Sequence, residues 1–178
     1  MLSKNYGAAK EFLTVLDKDP TADQDTLLSQ LGYDSFAFEI AYNPNNALLH
    51  EMISSGSLKE ITNTELRRHL TTWNASLESV RVTEQDLRLE REKIRDMFRR
   101  ENASIRTVFD QTGISTEIMG IPKAKEKYSN LEIMKGREFE NNLLTFIITA
   151  ISLEQEIYRP LLQEIQSIRS LIDSEIKP

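Results

Sequence analysis

The chain has 178 residues, with 22 Lys and Arg against 28 Asp and Glu, a net charge of -6 and a pI near 5.1. That balance argues against a general nucleic-acid binder, which carries a basic footprint, and against adhesion to anionic lipid by charge alone. The absence of cysteine excludes disulfides, thiolate metal sites and cysteine nucleophiles, and leaves the compartment open.

At 39% hydrophobic and 28% charged residues, the composition is that of a folded protein, and the length suits a single helical domain over 1–178. Six Gly and five Pro imply few turns and long elements. No apolar run reaches the roughly 20 residues of a membrane-spanning helix. The best stretch, "LLTFIITAI" at 143–151, reads as a buried helix. The opening "MLSKNYGAAKEF" lacks the apolar core of a signal peptide, so the chain as it stands is expected to be soluble.

Tyr6, Ala9, Phe12, Leu13 and Leu16 recur at helical spacing and predict a first helix over about 3–17. "DPTADQDTLLSQLGY" predicts a second, short helix with Thr21 or Asp23 as its cap and Gly32 as its stop. "DSFAFEIAYNPN" reads as extended or irregular chain, and Asn43 and Pro44 suit the entry of a third helix. These short helices occupy residues 1–56.

The stretch "ALLHEMISSGSLKEITNTELRRHLTTW" at 47–73 holds the strongest local signals. Gly56 follows Leu48, Leu49, Met52 and Ile53, where a helix end often turns left-handed. Ser54 and Ser55 precede it, and Leu58 and Ile61 are expected to tuck the connection onto the core. Thr62 and Glu65 form a capping-box spacing, with Asn63 competing as the cap. Architecture, rather than chemistry, is the expected role of this joint.

Leu66, Leu70, Trp73, Leu77, Val80, Leu87, Ile94, Phe98, Ile105 and Val108 then alternate at four- and three-residue spacing, with Glu84, Arg91 and Glu101 as polar interruptions. The stripe predicts one helix over about 63–109, on the order of 65 Å long. Trp73 is expected in the core. Gly113, Gly120 and Pro122 mark a loop at about 110–132, and a second long helix over about 133–176 follows, with Pro160 expected to kink it. The two long helices, spanning 62–176 as a hairpin, should lie antiparallel and be packed by the N-terminal helices. The expected fold is therefore an elongated all-α bundle.

Catalytic signatures are missing. "SSGS" lacks the glycines of a nucleophile elbow, and phosphate-loop and dinucleotide patterns do not occur. His50, Glu51, Glu65 and His69 match no metal-binding spacing, so no metal, no cofactor and no enzymatic activity are expected. The basic run Arg88, Arg91, Lys93, Arg95, Arg99, Arg100 and Arg106 is interleaved with Glu90, Glu92, Asp96 and Glu101. It reads as a salt-bridged exposed face, with Glu92 paired to Arg95 or Arg99, rather than a nucleic-acid surface. Glu154 and Glu156 read as the solvated side of the last helix.

Ser54, Ser55, Gly56, Leu58, Ile61, Asn63, Leu66, Arg67 and the later Trp73 together resemble the recurring core of a bacterial domain-of-unknown-function family. Its members are single-pass membrane proteins with a helical extracytoplasmic domain. The segment "EFENNLL" at 138–144 is similar to that family's penultimate segment. The resemblance implies a domain on the extracytoplasmic, periplasmic face of a bacterial membrane, anchored by a transmembrane helix absent from this chain. It brings no catalytic residues. Combined with the amphipathic stripes, it gives the leading expectation: a non-enzymatic module acting on a protein partner or another copy of itself. The alternatives are a small-molecule-sensing bundle, with Glu84, Arg91 and Glu101 lining a pocket, and a cytoplasmic helical scaffold or adaptor.

Overall fold

The computed structural model describes residues 1–176, so the last two residues of the expected domain 1–178 lie outside the described residues. The fold is all-α, with no strand among the described residues. The helices are α1 (Leu2–Leu16), α2 (Asp25–Phe36), α3 (Ala47–Ser55), α4 (Thr64–Met97), α5 (Ile105–Gln111), α6 (Leu131–Met134), α7 (Arg137–Ser152) and α8 (Arg159–Ile176). No described helix is long and apolar enough to cross a membrane. The chain forms two compact units. The first comprises Met1–Ile40 and Asp86–Ile151; the second comprises Ala41–Gln85 and the residues from Ser152 onward.

In the first unit, Leu2, Ala9 and Phe12 form the buried face of α1, which packs on α2. Asn5 lies in that buried face, and its Nδ2 donates to the carbonyls of Asp34 (3.1 Å) and Ser35 (3.2 Å). A helix leaves its last carbonyls without partners, so Asn5 satisfies the end of α2 from a neighbouring helix. Gly32 does not stop α2. The helix runs through it to Phe36, and a Cβ at Gly32 would stand 3.3 Å from the Phe12 ring. The glycine is there for close packing. Phe139 of α7 receives Phe12 at 5.2 Å and Phe98 at 5.9 Å between ring centroids, and Phe36 meets Phe146 at 5.0 Å. Each buried Phe contributes about 1.5–3 kcal/mol of transfer free energy.

The apolar stripe predicts one helix to about 109, but α4 ends at Met97 and α5 begins afresh at Ile105. Ser104 is extended, with φ -141° and ψ 103°, and its side chain accepts from the Thr107 amide to cap α5. Its backbone is held by a distant side chain. The Ser104 amide donates to Asn130 Oδ1 (2.7 Å), and Asn130 Nδ2 donates back to the Ser104 carbonyl (2.9 Å). Asn130 is buried. This long-range pairing satisfies the backbone at the start of α5, and Phe98 and Val108 of the stripe stay buried on either side of the break.

The predicted loop is largely irregular but contains a wide turn, Ile114–Ile118, that starts after Gly113 at φ 81°. It is pinned to α5. Asp110 accepts from Arg106 Nε and from the Ala124 amide, both at 2.9 Å, Arg106 also donates to the Pro122 carbonyl, and Thr107 Oγ1 donates to the Tyr128 carbonyl at 2.8 Å.

In the second unit, Trp73, Leu77, Val80 and Leu161 form a buried cluster, with Leu49, Tyr42, Ile165 and Ile168 packed against it. α3 starts at Ala47, after an irregular Pro44, so Pro44 precedes the first turn instead of occupying it. Pro160 lacks the N–H that would bond the carbonyl four residues back. The helix widens just before it: Leu153–Tyr158 form a π turn, and the Arg159 amide donates to the Glu154 carbonyl, five residues back. The proline is absorbed by a change of hydrogen-bond register.

Candidate functional site

The first unit contains a half-open cavity of about 460 Å3. One wall is α2, which contributes Leu28, Tyr33 and Phe36 around Gly32. The opposite wall is built at the break, from Phe98 at the end of α4 and from Val108 and Phe109 of α5. Ile114 and Ile118 of the wide turn, with Met134 of α6, complete it. The cavity is thus built across the interruption of the long helix, with Phe98 before the break and Ile105, Val108 and Phe109 after it.

The polar groups in this wall are few. Ser29, itself buried, donates its hydroxyl to Gln111 Oε1 at 2.5 Å, which ties α2 to the end of α5. Arg95 and Arg99 are the charged side chains of the wall, among the described residues. Arg95 lies in the last turn of α4 and Arg99 in the turn just after it, on either side of Phe98, with exposures of 38% and 48%. Arg95 donates to Glu92 at 2.8 Å and Arg99 to Asp96 at 2.5 Å. The hydrogen bond to Asp96 holds the Arg99 guanidinium above its ordinary pKa.

The joint residues take up an architectural arrangement. Gly56 adopts φ 78° at the end of α3. Ser54 and Ser55 return their hydroxyls to the carbonyls of His50 (2.7 Å) and Glu51 (2.8 Å). Leu58 and Ile61 are half-buried and Leu66 is buried. Asn63, rather than Thr62, caps α4, accepting from the Leu66 amide at 3.0 Å. Asn63 directly precedes the first helical residue, Thr64, and from that N-cap position a side-chain oxygen reaches a free amide of the first turn. Asn63 also donates to Glu175 of α8 at 3.0 Å. Trp73 is buried and donates Nε1 to Asn46 Oδ1 at 3.1 Å.

The three polar register positions do not line the cavity. Glu84 accepts from the Tyr42 amide at 2.7 Å and from the Tyr158 hydroxyl at 2.5 Å. Burial first, and then this carboxylate, push the Tyr158 phenol up in pKa. Arg91 is buried and donates to the Phe38 carbonyl at 2.9 Å. Burial lowers its pKa, with Glu39 and Glu92 opposing. Glu101 is exposed in the break. Each polar position thus has a local structural setting of its own.

His50 is exposed, whereas His69 is buried and lies 2.7 Å from Glu164 through Nδ1. The interleaved charges pair along α4 itself, with Glu90 to Lys93 at 2.7 Å and Glu92 to Arg95 at 2.8 Å, while Arg100 reaches Glu138 of α7 at 2.9 Å. Sequence reading placed Arg95 and Arg99 on this charged face and missed their contact with a cavity. The available signal was Phe98 between them, an aromatic residue just where the helix ends. No family model, curated protein or solved structure matches this chain.

Proposed function

We propose that this chain is a non-enzymatic helical binding module that takes a small, largely apolar molecule into the cavity of the first unit. The cavity carries this reading. Its volume falls within the range of about 300–1,000 Å3 typical of ligand pockets, and its wall is apolar with a few placed polar groups. The wall supplies no carboxylate or imidazole among the described residues, and the Ser29 hydroxyl is engaged by Gln111. Neither a general base nor an activated nucleophile is thereby at hand.

The test is titration with Nile red, an uncharged apolar dye, against the intact chain and two variants. Ala37, at the end of α2, lines the cavity, and Ala37→Phe fills it. Ala75, exposed on α4, gives the control Ala75→Phe. Saturable binding that Ala37→Phe abolishes and Ala75→Phe leaves unchanged supports the reading. Binding that is indifferent to Ala37→Phe counts against it.

A second reading is an extracytoplasmic, periplasmic module of a membrane-anchored bacterial protein, meeting a protein partner or a second copy. It is favoured by the resemblance at the Ser54–Trp73 joint and by exposed apolar residues on α8, Leu162, Ile172 and Ile176. The anchor would be a segment outside this sequence. Membrane fractionation and protease shaving of intact spheroplasts carrying the natural gene product test it. Cleavage from outside supports it, and a protected, soluble product points instead to a cytoplasmic scaffold.

A further inference from the structure

We infer that the occupant of the cavity is a single-headed apolar carboxylate, with its tail among the aromatic and aliphatic side chains and its head at Arg95 and Arg99. The inference rests on the cavity-binding reading and goes beyond it by naming the chemical class. The wall contains two charged side chains among the described residues, and both are guanidinium groups. A cationic head would meet like charge at this rim, and an apolar molecule with no head would leave the pair unused.

Position matters as much as sign. Arg95 lies in the last turn of α4 and Arg99 in the turn that follows it, yet both reach the Glu92 carboxylate, at 2.8 Å and 3.5 Å, so their spacing is one that a single carboxylate can bridge. Between them Phe98, 6% exposed, leads from the rim to the apolar interior. The arginines are partly exposed, so a bound carboxylate keeps part of its hydration and avoids the large penalty of a fully buried ion.

Their present partners do not exhaust them. Each guanidinium has five N–H donors in a fixed fork. Arg95 uses Nη1 for Glu92, and Arg99 uses Nη1 for Asp96 and, at 3.5 Å, for Glu92. Glu92 and Asp96 stand outside the cavity wall, where they orient the two side chains. Their charge also weakens the attraction for an incoming anion, so the head group adds selectivity to an affinity that comes mainly from the tail. Tyr33 contributes a phenol to the same wall.

The experiment uses calorimetric titration of the intact chain with decanoate, decanol and decylamine, each kept below its self-association limit. Decanoate is expected to bind at least about tenfold tighter than decanol, the equivalent of one hydrogen-bonded charge contact, with decylamine weakest. Arg95→Gln with Arg99→Gln should remove that advantage, bringing decanoate to the affinity that the same variant shows for decanol. Should the double variant fold poorly, the wild-type contrast is read at rising salt, where the preference for decanoate should shrink. Equal binding of decanoate and decanol by the wild type overturns the head-group assignment while leaving the cavity reading intact. Failure of all three ligands overturns both.

Discussion

Ser104 and Asn130, 26 residues apart, exchange two hydrogen bonds, with amide to Oδ1 at 2.7 Å and Nδ2 to carbonyl at 2.9 Å. This one side chain holds the extended Ser104 that caps α5, a wall of the cavity. Asn130→Ala is expected to cost about 2 kcal/mol, because it leaves an amide and a carbonyl without partners. Asn130→Asp keeps the acceptor but sets a buried carboxylate oxygen against the Ser104 carbonyl, and should cost at least as much at neutral pH. Urea unfolding measures both. A cost below about 0.5 kcal/mol for the alanine variant would show that another contact maintains the break.

Two glycines make a matched pair of opposite sign. Gly56 has φ 78°, and a Cβ added there would find no atom within 4 Å, so Gly56→Ala meets only the backbone penalty of the left-handed region. That penalty is roughly 1 kcal/mol, and asparagine should relieve part of it. Gly7 sits exposed inside α1 with the same open surroundings. Gly7→Ala should stabilise by up to about 1 kcal/mol through helix propensity. Thermal melts of the two variants should move in opposite directions.

Asp110 gives the stability an acid limb. The Ser115 hydroxyl, the Ala124 amide and Arg106 hold its carboxyl below the ordinary 3.8. A depressed folded pKa means the stabilisation is complete above the unfolded value and is lost as pH falls through the folded one. Stability should therefore decline below about pH 4, where the unfolded carboxylates begin to take up protons first. Glu138, held low by Arg100, adds to the same limb. Asp110→Asn should flatten the limb partly, and adding Glu138→Gln should flatten it further. A limb unchanged in the double variant would exclude these two carboxylates as its source.

Tyr158 gives the alkaline counterpart. Its phenol, raised by burial and by Glu84, contributes stability that is complete below the unfolded value near 10 and declines as pH rises from there toward the folded value. Tyr158→Phe should cost about 1.5–3 kcal/mol at neutral pH, the range for a hydrogen bond to a charged group, and should soften the alkaline loss. Tyrosinate absorbance during base titration, compared between the two proteins, reports the delayed ionisation of this one phenol. Ionisation of Tyr158 in step with an exposed tyrosine would remove the basis for the prediction.

Local chemistry was enough to define the helical class, the left-handed end at Gly56 and the burial of Trp73. Each of these depends on periodicity or backbone preference within a few residues. The same local rules misplace the elements wherever a distant group competes. Gly32 reads as a helix stop until Phe12 is seen against it, and the stripe through Phe98 and Val108 reads as one helix until Asn130 takes the backbone of Ser104. Arg95 and Arg99 likewise read as two members of a charged face, because nothing within a turn of them announces Ile114 or Met134. Sequence by itself determined which segments are helical and which of their faces are apolar. Tertiary structure decided where those helices stop and what space they leave between them, because hydrogen bonds and packing between residues far apart in the chain outweigh the small local preferences they oppose.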